Sequence, residues 1–473
     1  MKRYNLLAGL MFFVLAVQAQ QNFTLYPMRS IPQSHLLNPA NTPDSKWHIG
    51  IPALNSTYLQ YSNGGFNLNK FFSAVEPAGT DTTVLNLNTL LDIMSKKNYI
   101  SFKVEQSWLQ GGFKFQNHYF HGSIIEKANV RISLPKDLFR FVIDGNGGTN
   151  LGQTFSLAPK AEAIHYREFA LGYTYALPGS IQIGGRVKYL KGFNVLQTKS
   201  LVADITTDPT DYAYNIKANI EINSASSFAQ LLPTNGSDTV DFGVPNLFKS
   251  NNSGLGFDLG ASWQIKDKLT LNASILDMGF INWNQNTVSY VSRNPNAVFR
   301  YDGIKISSSD TQAFESYFQK LGDTLLQVFA VDTVRRTFRT ALSTEFFIGG
   351  QYQINKRSSA GALFYGDFYN KRFYPGLSLN YQYKVGKALS FNVTNTMYNR
   401  SLLNVGLGVS VNAGPWQIYS VMDNVLFPFA ISSLKTFSWR FGSNLTFGRE
   451  RLKPKKSKPD GAEKPADIDP NNI

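Results

Sequence analysis

The 473-residue sequence contains no cysteine. That absence excludes a disulfide framework, thiolate nucleophiles, Cys-ligated metal sites and a lipidated N-terminal cysteine. Charged residues are scarce, at 16% against roughly a quarter in ordinary soluble domains. Histidine is rare too, with five positions. Long hydrophobic runs are missing: after Val17 no apolar stretch approaches the ~20 residues that a membrane helix needs. A chain without such a helix crosses a bilayer only as a closed barrel, because no other strand arrangement satisfies every backbone group in lipid.

Aromatics, by contrast, reach 14%, with 36 Phe and 23 Tyr, and there are 37 glycines. Mean hydropathy is nonetheless −0.20. Greasy side chains diluted by small polar ones fit strands with one apolar face and one polar face. The N-terminus reads as an export signal: Lys2 and Arg3, then an apolar run from Leu6 to Val17, then small residues at Val17 and Ala19 that place cleavage after Ala19. Net charge is +14, or +12 without Lys2 and Arg3. The basic residues are dispersed singly, which argues against nucleic acid as a partner. Anionic lipid headgroups and lipopolysaccharide phosphates are the expected partners, or the charge serves the solubility of loops and lumen.

The dominant signal is alternation with a period of two. Phe437, Trp439, Phe441, Leu445 and Phe447 point one way, and Ser438, Arg440, Asn444 and Thr446 the other. The same pattern runs through Leu255, Phe257, Leu259 and Trp263 against Gly256, Asp258, Gly260 and Ser262, and through Leu403 to Asn412. These runs have about ten residues or more, the length of a tilted membrane strand. Fourteen strands are expected: 47–62, 100–116, 118–134, 164–177, 181–200, 253–265, 268–283, 336–354, 358–369, 373–385, 388–399, 402–412, 415–424 and 436–448. Every second joint is short, and all four long ones, 63–99, 135–163, 201–252 and 284–335, fall on the other side. That parity matches a barrel with short periplasmic turns and long external loops. Residues 205–224 also alternate, but a membrane strand there breaks the parity, so they are expected in an external hairpin extension.

Helical spacing is expected over Leu87–Lys96 and Thr311–Phe329, in external loops, where the helices cap the barrel mouth or bind a partner. Residues 20–46 form a Pro- and Asn-containing leader or a plug in the periplasmic mouth, with Asn38 and Pro39 as plug residues. Residues 47–448 form the barrel. Residues 449–473 carry a basic and then an acidic run, expected as a disordered periplasmic tail.

Catalytic motifs are lacking, and no enzyme activity, catalytic residue, cofactor or metal site is expected. His118 and His121 fall on opposite faces of one strand. Gly145-Asn146-Gly147-Gly148 lacks the Lys-Ser/Thr of a phosphate loop. Gly254, Gly256 and Gly260 sit in a strand rather than a dinucleotide fold. His165 with Ser156 or Ser180 rests on spacing alone. The charges of the polar faces, Arg131, Glu168, Arg186, Lys188, Lys217, Glu221, Asp258, Arg339, Glu345 and Arg440, are expected in the lumen, since a charge facing lipid costs about 2–4 kcal/mol at the midplane. Their mixed signs favour a salt-bridged interior over a conduit.

Leu37-Asn38-Pro39-Ala40 resembles the opening of PorP/SprF-like proteins of the type IX secretion system. Lys188-Tyr189-Leu190-Lys191-Gly192, Asp277–Trp283, Asp423-Asn424 and the closing Phe441-Gly442 to Phe447-Gly448 resemble segments of an uncharacterised outer-membrane family similar to PorV and FadL-type barrels. The likeness spans nearly all of the mature chain. It implies fourteen strands, an N-terminal hatch and an outer-membrane location. It supplies no activity; the fourteen strands, the Pro-containing leader and the loop helices, which could form a hatch and a cap, lead to the expectation of a FadL/PorV-like barrel that passes a solute, hydrophobic ones included, or acts as a secretion accessory. The alternative is a structural barrel that recruits a secretion-system or periplasmic protein through its external loops and tail.

Overall fold

The structure, a computed structural model, describes residues 22–64, 75–77, 83–85, 89, 91–92, 94–226, 251–266, 268–303, 321–325, 327–369, 372–398, 401–425 and 436–448. The expected signal peptide and tail lie outside the described residues.

Fourteen antiparallel staves close into a transmembrane barrel. In chain order they are β1 (Trp47–Gly50 and Ser56–Gly64), β2 (Lys97–Phe115), β3 (His118–Pro135), β4 (Lys160–Leu177), β5 (Ile181–Thr207), β6 (Asn252–Ile265) and β7 (Leu269–Trp283). The second half comprises β8 (Thr344–Gln353), β9 (Ser358–Tyr369), β10 (Arg372–Val385), β11 (Leu389–Tyr398), β12 (Ser401–Ala413), β13 (Trp416–Met422) and β14 (Thr436–Phe447). Each pairs with the next, and β14 returns to β1 through Trp47 opposite Phe447 and Tyr58 opposite Arg440. Closure leaves no edge strand in the hydrocarbon.

The core is inverted relative to a soluble sheet. On β6, Leu255, Phe257, Leu259 and Trp263 are exposed on the outside, while Asp258 and Ser262 are buried inside. Aromatic rows mark both ends of the apolar band, as at a bilayer interface. Near the short turns Trp47 stacks on Phe113 at 5.1 Å, Phe113 on Phe120 at 5.3 Å, and Phe120 meets Tyr173 at 5.1 Å. At the opposite end Phe346, Phe368 and Phe373 form a second cluster with centroids 5.0–6.1 Å apart. Gly386 and Gly414 take positive φ, +61° and +58°, in two of the tight turns, a conformation that favours glycine.

The wall is lopsided. β5 has 27 residues, far more than the ~9–11 that cross the hydrocarbon. Its outer half pairs with Tyr214–Ala225, which pairs in turn with Thr287–Ser292 and Val298–Tyr301 outside the barrel. The alternating stretch at 205–224 thus belongs partly to β5 and partly to this external sheet. Two strands differ from expectation. The first is split at residues 51–55, and the eighth is broken: Phe338–Ala341 pairs with the outer end of β7, separately from Thr344–Gln353. An external helix, α1 (Lys136–Ile143), was not expected. Of the expected helix 311–329 only its later part falls on described residues, and 321–325 is helical there. Of the expected helix 87–96, residues 89, 91, 92 and 94–96 are described, and 89, 91 and 92 are helical while 94–96 are not.

Candidate functional site: plug, charge layer and cavities of the lumen

Residues 22–42 run inside the barrel and are almost entirely buried. Pro32 starts a 3-10 turn, Pro32–Leu36, with its fixed φ suited to a first helical position. One side of the segment is apolar: Phe23, Leu25, Tyr26, Met28, Ile31 and Leu37 pack with Leu276, Phe347, Leu363, Tyr365, Tyr419 and Val421 of the wall. Tyr26 stacks on Phe347 at 4.9 Å. The other contacts are hydrogen bonds to lumen-facing polar residues, which the small polar half of the alternation supplies. Asp423 accepts the Thr24 N–H at 2.9 Å, Asn392 donates to the Thr24 carbonyl at 2.7 Å, and Gln33 donates to Asn444 at 2.7 Å.

The Leu37-Asn38-Pro39-Ala40 stretch fits the wall most closely. The Leu37 carbonyl accepts the Ser274 hydroxyl at 2.7 Å, and the Pro39 carbonyl accepts that of Thr174 at 2.6 Å. Asn38 donates to Tyr26 at 3.1 Å and to the Ala261 carbonyl at 3.3 Å. Gly184 and Gly260 face it without side chains: a Cβ there would lie 2.3 Å from the Pro39 oxygen and 2.2 Å from the Asn38 oxygen. These wall glycines permit close approach of another backbone.

Above the plug lies a layer of ten buried or largely buried charges, five of each sign. Arg440 pairs with Glu105 at 2.6 Å, and Lys103 with Glu105 at 3.2 Å and Glu345 at 3.5 Å. Lys127 pairs with Glu168 at 2.8 Å and Asp277 at 3.5 Å. Arg186 pairs with Glu168 at 2.6 Å and Asp258 at 3.0 Å. Lys188 pairs with Asp258 at 2.7 Å and with Asp277. Balanced pairing is what makes such burial tolerable. Asp277 reaches the layer from a strained position, φ +57°, with its N–H donated to Asp258 at 2.7 Å. The layer touches the plug directly, since Arg440 donates to Asn22 at 3.1 Å and Arg186 to the Leu36 carbonyl at 3.5 Å.

On the outer side of this layer is a cavity of about 420 Å³. Lys103, Lys127 and Arg131 with Glu162, Asp277 and Glu345 supply a charged side of balanced sign to it, and Ile164, Val195 and Leu342 an apolar one. Phe368, 54% exposed at the outer end of β9, also lines it. On the inner side of the plug a second cavity, of about 210 Å³, is lined by Arg29, Lys268, Lys384 and several amides. In the external sheet Arg300 gathers Asp208, Asp211 and Asp302. The backbone N–H of Thr210, with Arg300 behind it, holds the Asp208 carboxyl below its ordinary value.

Of the residues singled out from sequence, Glu168, Arg186, Lys188, Asp258, Glu345 and Arg440 are buried in the charge layer. Arg131 lies over the Tyr99 ring at 4.3 Å and lines the outer cavity. Arg339 does not line the lumen. It is exposed on the outer extension, donating to Asn282 at 2.8 Å, while its neighbour Phe338 packs inward on the Trp283 cluster. Beyond the bilayer water replaces lipid outside, so the rule that sends charge inward no longer acts. Lys217 and Glu221 likewise sit on the external strand Tyr214–Ala225. Lys103, Glu105, Lys127 and Asp277 were missed. Lys103 and Glu105 alternate with the exposed Phe102 and Val104, a signal the sequence already carried.

His118 faces outward against Tyr173, whereas His121 is buried inside. His165 bonds Glu126 at 2.6 Å; Ser156 donates to Asp204 in the external sheet, and Ser180 lies in a short turn at the other end of the barrel. These three therefore form no catalytic group.

The profile of a family of unknown function, DUF5723, matches residues 39–423. No curated protein matches the chain. Among solved structures, the toluene transporter TodX of P. putida is similar at 10% identity and a TM-score of 0.42, over 88% of this chain and 95% of that one. A FadL homologue of Pseudomonas aeruginosa is similar at 11% identity and 0.36, over 87% and 92%. An outer membrane channel from Pseudomonas putida F1 is similar at 8% identity and 0.28, over 85% and 96%. Likeness at these identities is one of fold. The match to the family over most of its length makes this chain a member of DUF5723.

Proposed function

We propose that the protein is a plugged outer-membrane channel for a small amphipathic solute, which enters the outer cavity from outside and is held back by the plug. The observation that carries this reading is the 420 Å³ cavity with one charged side of mixed sign and one apolar side, closed inward by the charge layer and the plug. Its volume lies within the ~300–1,000 Å³ of small-molecule sites. The reading includes export by the signal at 1–19, contact with lipopolysaccharide on the outer face, and no chemical step. The aromatic rows at both ends of the apolar band support a bilayer position. The alternative expectation is recruitment of a partner through the external loops and the tail, of which the tail lies outside the described residues.

Uptake of a fluorescent fatty acid into liposomes carrying the purified barrel tests it. Saturable uptake above protein-free vesicles is expected, with a loss of tenfold or more in Leu342→Trp, whose indole fills the cavity. Uptake no faster than through protein-free vesicles would sink the reading.

A further inference from the structure

Three histidines far apart in the sequence meet where the plug touches the wall. His35 comes from the plug, His48 from β1 and His121 from β3. The His35 ring lies 4.1 Å from that of His121 and 6.0 Å from that of His48, centroid to centroid. All three are buried, with exposures of 0%, 1% and 5%. Nε2 of His48 and Nε2 of His121 are left without a partner, and Nδ1 of His35 has only the Pro32 carbonyl beside it. The wall is shaped for the rings, because a Cβ on Gly112 would lie 2.7 Å from His48 and one on Gly172 2.1 Å from His121.

The surroundings favour neutral imidazoles. Gln110 presents its amide nitrogen to His35 Nε2 at 3.1 Å, and its orientation is held by Gln33, which donates to the Gln110 oxygen at 3.3 Å. A proton added at His35 Nε2 would place donor against donor. The ionisable groups facing the triad are Tyr119 of β3, Lys114 of β2 and Arg186 of β5. Glu168 and Asp258 stand behind Arg186 and are already paired with it. Among the described residues no carboxylate forms an ion pair with the three rings. Positive charges there would meet Lys114, Arg186 and one another, with the Tyr119 hydroxyl beside His48 and the Pro32 carbonyl beside His35 as the neutral acceptors.

We propose that this triad is a proton-operated latch: neutral histidines keep the plug in the barrel, and their protonation on acidification releases it. A free imidazole titrates near ~6.5. In the docked plug, burial first, and then His121, Arg186 and His48, hold His35 well below that value. The docked state therefore binds fewer protons than the released state in this range. Docking is fully stable above about pH 6.5 and weakens as pH falls toward the docked value.

The absence of native cysteine makes the test direct. Ser34, buried in the plug beside His35, is replaced in Ser34→Cys, and reaction with dithiodipyridine is timed from pH 8 to 5. Rates are normalised to those of Thr149→Cys, an exposed loop position, and heat-modifiable gel mobility verifies a folded barrel at each pH. The normalised rate is expected to rise tenfold or more on acidification, and to vary less than twofold when His35→Gln is added. A flat profile with His35 present overturns the latch, as does the same rise with Gln in its place. Protection by Zn²⁺ with no pH effect would make the triad a metal site and equally overturn it. The latch rests on the plug and not on the cargo, so failed solute uptake leaves it standing.

Discussion

Gly184→Ala asks how tightly the plug is seated. The new methyl would lie 2.3 Å from the Pro39 oxygen, 2.5 Å from the Pro39 carbon and 2.8 Å from the Ala40 nitrogen. All three are backbone atoms, so no side-chain rotation relieves the overlap. The plug must withdraw by about an ångström or the stave must bow outward, and overpacking of this kind costs about 1–3 kcal/mol. Charged against docking, that raises the undocked population roughly 5- to 150-fold. Gly260→Ala meets the Asn38 oxygen at 2.2 Å, but it strains the same segment, so the double variant should cost less than the sum. The readouts are tryptic cleavage after Arg29 and ionic current in planar bilayers, with Gly147→Ala, whose Cβ has nothing within 4 Å, as the control. Faster cleavage and larger current are expected for Gly184→Ala alone of the two. Cleavage and current equal to the parent would refute the seating of Pro39 against this stave.

Arg440→Met leaves Glu105 without its 2.6 Å partner and should lower stability by about 3–5 kcal/mol, with much of the loss recovered in Arg440→Met/Glu105→Leu; thermal unfolding in detergent measures both. Leu259→Arg, 56% exposed on the outer face of β6, should cost about 2–4 kcal/mol in a folding titration into vesicles. Trp263 and Trp416, exposed near the short turns, should be quenched most by lipids brominated near the headgroup. Stronger quenching by chain-terminal bromine would contradict the interface assigned to them.

Much of the barrel was legible because lipid imposes a local rule. Each stave must send its greasy residues one way, so Leu255, Phe257, Leu259 and Trp263 declare their face without reference to any neighbour. Joint lengths then gave parity, which kept 205–224 out of the wall. The rule failed at Arg339 and around 338–343, where the chain has left the bilayer and the inside of the extension is apolar, built on Trp283 and Phe338. The split in the first strand was missed although Ile51-Pro52-Ala53-Leu54-Asn55 does not alternate and Pro52 cannot donate to the ladder.

By itself the sequence determined the fold class, the number of staves and the side that residues of the bilayer-spanning staves face, because a period of two is written along a single strand. Only the tertiary structure decided which charges pair, that Pro39 lies against Gly184, and that His35, His48 and His121 share one buried corner. Those meetings depend on inter-strand register and on the path of the plug. Register is set by closure of the whole ring, and no local run of residues encodes it.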